Sequence, residues 1–421
     1  MTILSFMTHY INIYNDDKTM MTFSLYNSSL RELTYPSTLH TIAFKNHFDQ
    51  SIDDMIFPEN IKIIIIEGHF NKPIDNVRFP TNLLNLTLSG CFNQSLDNVI
   101  FPNNLQTIYL GGYFNQPLNK ATLPSSIKSI TFGYQFDQSL DDTNLPASLE
   151  TLIFGFYFNQ PINKVTLPSN LQSITFDKYF NQPLNNITLP ASLSSITFGH
   201  AYNKSLDYII FPINLKIISL GDNFDQPISN TIFPINLHTI IFSTSFNQSL
   251  DDIIFPINLD TIIFGFAFDQ PLNKVILPAN LQTIEFGCKF NQSLDNTKLP
   301  PNLKTMTFKT NFNQSLNKTI LPDSLQVITF GMNFNQPLSK VKLPTNLHTI
   351  FFGYDFNQPL DNLPSSIEYI TFHRINMNIT NLPASVKQIR ILTDVTTSIK
   401  KLLKIPYGCK ILEFNREIKV E

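Results

Sequence analysis

Apolar positions along this chain of 421 residues follow a short pattern nested in a long one. In Leu105-Gln106-Thr107-Ile108-Tyr109-Leu110, the last three residues alternate apolar, outward and apolar. That is the alternation of a strand with one face on a core. The triplet returns as Ile130-Thr131-Phe132, Ile174-Thr175-Phe176 and Ile196-Thr197-Phe198. Thr dominates the outward place, which suits a half-exposed strand. The long pattern is an aromatic every 22 residues, from Tyr26 through Phe48 and Phe70 to Phe356. These are sixteen copies without an insertion or deletion, and Tyr202 is the one departure from Phe after the first.

A period this regular means one supersecondary unit stacked many times. A single short strand per 22 residues cannot pair within its own unit, so it pairs with its equivalent in the next and builds a parallel sheet. The proline column (Pro36, Pro58, Pro80 and onward to Pro344) falls just before each strand. Proline there sets a corner, since inside a strand its missing N–H would break the ladder. Gly follows the strand in many copies, among them Gly111, Gly133 and Gly155, and is expected to permit a tight exit with positive φ. Six side chains per coil are expected in the core: Phe114, Leu118, Leu123, Ile127, Ile130 and Phe132 in one copy. The corner Phe is expected to stack along the axis. The Asn or Asp after it (Asn93, Asn115, Asp137, Asn159) is expected to bond turn backbone and neighbouring coils.

The ends depart from the register. Residues 1–25 read as an N-terminal cap over an otherwise exposed apolar end. Residues 26–373 carry the repeats. Over residues 374–421 the prolines slip to Pro383 and Pro406, and the segment reads as degenerate repeats and a C-terminal cap rich in Lys.

Composition narrows the function classes. Hydrophobic residues at 43% support a continuous core. A formal charge of -3 gives no bulk attraction to nucleic acid or anionic membrane, and neither is expected as a partner. Cys91, Cys288 and Cys409 lie far apart and read as free thiols in a reducing compartment. The first residues lack the pattern of a signal peptide, and no apolar run is long enough to span a membrane. A cytoplasmic location, with a nuclear one as alternative, is the expectation.

Candidate chemistry is sparse. His47, His69 and Cys91 share a column on three consecutive coils, but the outer two would stand about 10 Å apart, too far for one zinc ion. Asp53, Asp75 and Asp97 also stack, yet no loop motif for calcium surrounds them. Catalysis needs an unrepeated cluster of acid, base and cleft, and none stands out. No enzyme activity, metal or cofactor is expected. A partner-binding surface is the better candidate. The outward strand face turns apolar around Ile217, Ile241 and Ile263, with Ile213, Ile235 and Ile257 at the neighbouring corner. Tyr113, Tyr157 and Tyr179 form a second, aromatic candidate.

The unit F-N-Q-P-L-N-K-A-T-L-P-S-S-I, Phe114 to Ile127, and its copies from Tyr26 to Phe372 resemble the FNIP repeat of social amoebae and giant DNA viruses. The resemblance implies a leucine-rich-repeat-like solenoid with one short parallel strand per 22-residue coil and little helix. It further implies a protein–protein interaction scaffold binding an unidentified protein partner. The asparagine departs from the leucine-rich pattern, which expects it at Tyr113 and not at Asn115, so the resemblance does not by itself imply the usual asparagine-ladder geometry. Many viral members join an F-box to the repeats and look like substrate receptors of ubiquitin ligases. Here the residues before Tyr26 are too few for that helical module, and a remnant or a plain cap is expected. The alternatives carried are therefore a ubiquitin-ligase substrate-recognition subunit and, more remotely, a carbohydrate-active solenoid enzyme.

Overall fold

The computed structural model describes residues 12–24 and 35–418. Tyr26, the segment 1–11 and Lys419 lie outside them. The chain divides into two compact units, Met1–Tyr202 and Asn203–Glu421. Each is a parallel β-solenoid with one short strand per coil.

The first unit opens on an antiparallel hairpin, Asn12–Tyr14 against Met20–Phe23. The second hairpin strand pairs in parallel with Thr41–Phe44, and parallel pairing continues coil by coil to Ser195–Thr197. The second unit runs in parallel from Ile217–Ser219 to Lys410–Glu413 and closes on the antiparallel strand Arg416–Ile418. Register is in step throughout, as in Ile108↔Ile130. One short helix, Val395–Ile399, occurs in the described residues.

A typical coil is a strand and three turns, each closed by one main-chain bond. After Thr107–Leu110, Phe114 N–H donates to Gly111 O, Ala121 N–H to Leu118 O, and Ile127 N–H to Pro124 O, at 3.1–3.2 Å. The proline thus begins a turn and never enters the sheet. Phe114, Leu118, Ile127, Ile130 and Phe132 are buried as expected. Leu123 is only half-buried, and Ala121 fills the core beside it. In other coils Val99, Val165 or Ile209 holds the place of Ala121. That place closes the middle turn, which carries its side chain inward.

Two aromatic columns run inside. Corner rings Phe92, Phe114, Phe136 and Phe158 follow one another at 6.1–6.2 Å with interplanar angles of 4–10°. From Phe132 onward a second column of strand-end rings joins it, and Phe132 meets Phe136 at 3.9 Å within one coil. Near-parallel rings at such spacings are offset stacks, the arrangement that aromatic quadrupoles favour.

Polar ladders run parallel to these columns. Asn93 Oδ1 accepts the backbone N–H of Asn115 at 2.9 Å, and Asn115 Oδ1 that of Asp137 at 3.0 Å. A ladder therefore exists, displaced from the leucine-rich position to the residue after the corner Phe. A second ladder runs beside the proline. Ser126 Oγ donates to Leu105 O at 2.6 Å, and Asn104 Nδ2 to Thr81 O at 2.9 Å. The two residues between each proline and the next core residue are thus only partly free: a Ser or Asn there holds the coil below.

Positive φ falls at Gly68, Gly90 and Gly112, one residue past the expected column. The exit glycines proper are small for another reason. A Cβ on Gly155 would meet Gly133 O at 1.6 Å, so close stacking of successive turns demands the missing side chain.

Candidate interaction surface

At the proline corner of the second unit, the sequence Ile-Ile-Phe-Pro-Ile-Asn-Leu (209–215) sets its side chains alternately. Ile209 and Phe211 are buried, whereas Ile210 is 82% exposed and Ile213 is 60% exposed. The same placement repeats on the next coils. Ile232, Ile254 and Ile276 continue the Ile210 column, and Ile235 and Ile257 continue the Ile213 column, all exposed. Seven isoleucines thus flank one corner on four successive coils. Sequence reasoning named Ile213, Ile235 and Ile257 and missed Ile210, Ile232, Ile254 and Ile276. The available signal was period-two alternation in the residues before each proline, where an apolar residue between two core residues has to point outward.

The strand face is less apolar than the corner. Ile217 stands in register with Thr239. Ile241 is paired with Ile263 in a different column, followed by Glu285, which Lys309 holds at 2.6 Å. Ile241 and Ile263 are half-buried, and Ile217 is exposed.

The first unit carries the aromatic candidate at the strand exit. Tyr157 and Tyr179 stack at 5.1 Å with planes 3° apart. Two residues not singled out in the sequence complete the group. Phe156 stacks on Tyr134 at 4.4 Å, and Tyr134 meets Tyr157 edge-on at 5.0 Å. Lys178 Nζ lies 4.9 Å from the Phe156 centroid, a cation–π contact. The Tyr134 side chain raises the Tyr157 phenol above its ordinary value. Tyr113, exposed, stands apart from this cluster.

The titratable columns serve the turns. His47 and His69 stack at 5.0 Å, and among the described residues no three His, Cys, Asp or Glu side chains gather on a point where a metal ion could sit. The backbone N–H groups of Asp53 and Asp97 donate to the hydroxyl oxygens of Ser51 and Ser95 at 3.2 and 3.1 Å, which fastens the turn. Cys91, Cys288 and Cys409 are free thiols. Among the described residues no helix is long and apolar enough to cross a membrane.

The FNIP Repeat family model matches residues 48–91, 92–135, 114–157, 158–200, 202–245, 246–289, 290–333 and 334–375, each match spanning about two coils. Among solved structures the chain is similar to CroV588, a giant-virus protein described as a novel circular LRR protein structure. That likeness has 28% identity and a TM-score of 0.68, covering 90% of this chain and 70% of the other. More remote likenesses are to YopM from Yersinia enterocolitica and an internalin from Listeria monocytogenes. YopM has 16% identity and a TM-score of 0.48, covering 93% of this chain and 86% of its own. The internalin has 14% identity and a TM-score of 0.38, covering 81% of this chain and 86% of its own. A search of the curated proteins found no match.

Proposed function

This chain belongs to the FNIP repeat family, and we propose that it is a non-enzymatic protein-interaction scaffold that works in the cytoplasm and binds a protein partner along its repeat surface. The observation that carries this reading is the division of labour within each coil. Repeated positions build the stacks and ladders, and some of the positions that vary between coils present exposed apolar side chains, among them Ile213, Ile235, Ile257, Tyr113, Tyr157 and Tyr179. Surfaces of this kind mark association sites in proteins that otherwise cover apolar side chains. In the second unit the binding residues are Ile213, Ile217, Ile235, Ile241, Ile257 and Ile263. In the first unit they are Tyr113, Tyr157 and Tyr179, with Tyr134 and Phe156 completing the aromatic cluster. The ubiquitin-ligase alternative gains no support from the described residues 12–24, because an F-box is helical and Asn12–Tyr14 and Met20–Phe23 form a β-hairpin.

Quantitative affinity purification tests the reading. Ile235→Asp with Ile257→Asp, and separately Tyr157→Ala with Tyr179→Ala, are compared with the natural chain at equal thermal stability. Loss of a specific protein from either variant is expected. Retention of every partner by both variants would sink the proposed surfaces.

A further inference from the structure

We propose that the isoleucine stripe at the proline corner of the second unit is a self-association surface whose occupant is the same stripe on a second copy of this chain. The proposal rests on the scaffold reading above and names the partner of one of its surfaces.

Four observations point to a second copy. The first is size. Ile210, Ile232, Ile254 and Ile276 are 81–86% exposed, and Ile213, Ile235 and Ile257 are 54–60% exposed. Together they present on the order of 900 Å², above the few hundred that monomers tolerate and close to the roughly 800 Å² per partner of a standard interface.

The second is the absence of charge. Across these four coils neither column holds a charged residue, whereas Lys298 and Lys342 interrupt the Ile210 column further along and Asp323 the Ile213 column. The stripe is therefore not built for an acidic peptide or a nucleic acid.

The third is periodicity. The side chains form ridges that repeat at the coil spacing, about 4.8 Å at the strands. Ridges with that repeat mesh along their length with a surface of equal repeat, which a second copy supplies. In a two-fold pair the stripes run antiparallel, with the axis between the coils of Ile232 and Ile254. Ile232 then faces Ile254 of the second copy, and Ile210 faces Ile276.

The fourth is local strain. Tyr208, at the start of the stripe, has φ 67° and is 88% exposed. Other positive-φ residues in its column are Asp142, Asn186 and Asn296, which tolerate the left-handed region. A tyrosine held there, with its ring in solvent, is a cost of the kind retained at binding surfaces.

Sedimentation velocity on the full chain tests the proposal, from about 1 to about 100 µM, the range of a modest interface. The natural chain is expected to shift from monomer to dimer. Ile232→Asp with Ile254→Asp should weaken association more than about tenfold, with an unchanged melting temperature at dilutions where both chains are monomeric, because both side chains are then solvent-exposed. Ile56→Asp with Ile100→Asp, at isolated exposed positions of the same column in the first unit, should associate like the natural chain. In a background with Cys91, Cys288 and Cys409 changed to Ser, an Ile232→Cys chain should cross-link under oxidation to an Ile254→Cys chain faster than to an Ile276→Cys chain. A natural chain that stays monomeric at the highest concentration overturns the proposal. So does a stripe variant that still dimerises, or equal cross-linking at both positions. If the natural chain is monomeric but Ile232→Asp with Ile254→Asp loses a captured partner, self-association falls while the scaffold reading stands. If no partner is lost from it, nor from the Ile235/Ile257 and Tyr157/Tyr179 variants, both fall.

Discussion

Asn93 and Asn115 are joined side chain to main chain: Asn93 Oδ1 accepts the Asn115 N–H at 2.9 Å, and the Nε2 of the adjacent Gln116 at 3.0 Å. One oxygen thus satisfies two donors of the next coil. Asp137 takes the same two bonds, from Asn159 N–H at 2.8 Å and Gln160 Nε2 at 3.1 Å. Asn93→Ala leaves a partly buried N–H without its acceptor, and should cost about 1–3 kcal/mol in urea unfolding. Asn93→Asp should match the natural chain at neutral pH, since a carboxylate keeps both acceptors. Equal destabilisation by both variants would show that packing, and not the acceptor, matters there.

Asp49 is the ladder residue with a displaced carboxyl. Burial raises its pKa, but the Asn71 N–H, then the hydrogen bond and charge of Lys72, and the charge of His69 outweigh this and hold it below the ordinary value. Lys72 Nζ stands 3.0 Å from Asp49 Oδ2. A carboxyl lowered by folding contributes stability above its unfolded value, about 3.9, and that contribution is lost as pH falls through the lower folded value. Urea midpoints of the natural chain should therefore fall in acid more steeply than those of Asp49→Asn. Parallel pH profiles for the two would remove Asp49 from the acid response.

Gly90 has φ +63°, and a Cβ there would stand 2.2 Å from Gly68 O. Gly90→Ala should destabilise by more than about 1 kcal/mol, because both the backbone region and the coil beneath refuse a side chain. The equivalent residues from Tyr134 onward carry side chains and do not have positive φ. Tyr134→Gly should therefore gain nothing, and a stabilised Tyr134→Gly would contradict the assignment of two turn types.

Phe268 is fully buried, stacked on Phe246 at 6.2 Å and Phe290 at 6.1 Å. Phe268→Ala should cost about 3–5 kcal/mol. In a solenoid each coil leans on its neighbours, so the loss of amide-exchange protection should be greatest within the coils of Phe246 and Phe290. A uniform loss across the whole unit would argue for a single cooperative core instead.

The coil itself was legible because its signals are local and repeated. Alternation at Ile130-Thr131-Phe132, the proline column and the FNQ corner each state one element, and sixteen copies average away the exceptions. The ladder at Asn115 was legible in kind, since an Asn after a corner residue has few uses but to bond backbone. Its two-donor geometry was not, because Gln116 gains its partner only when the coil below is in place. Ala121 and Leu123 exchange the expected burial for the same reason. The turn that rotates Ala121 inward is closed by a bond to Leu118, and nothing in the spacing of apolar residues reveals that rotation.

By itself the sequence determined the unit, its period, the parallel pairing and the family, since these follow from a 22-residue window and its repetition in register. Tertiary structure decided which glycines need positive φ and which need only clearance, because the clashing atom of Gly155 belongs to Gly133 in another coil. It also decided that Ile210 and Ile213 converge on one exposed corner while Ile241 and Ile263 sink half-buried into the strand face. Exposure is a property of what lies alongside a residue, and along this chain that neighbour is 22 residues away.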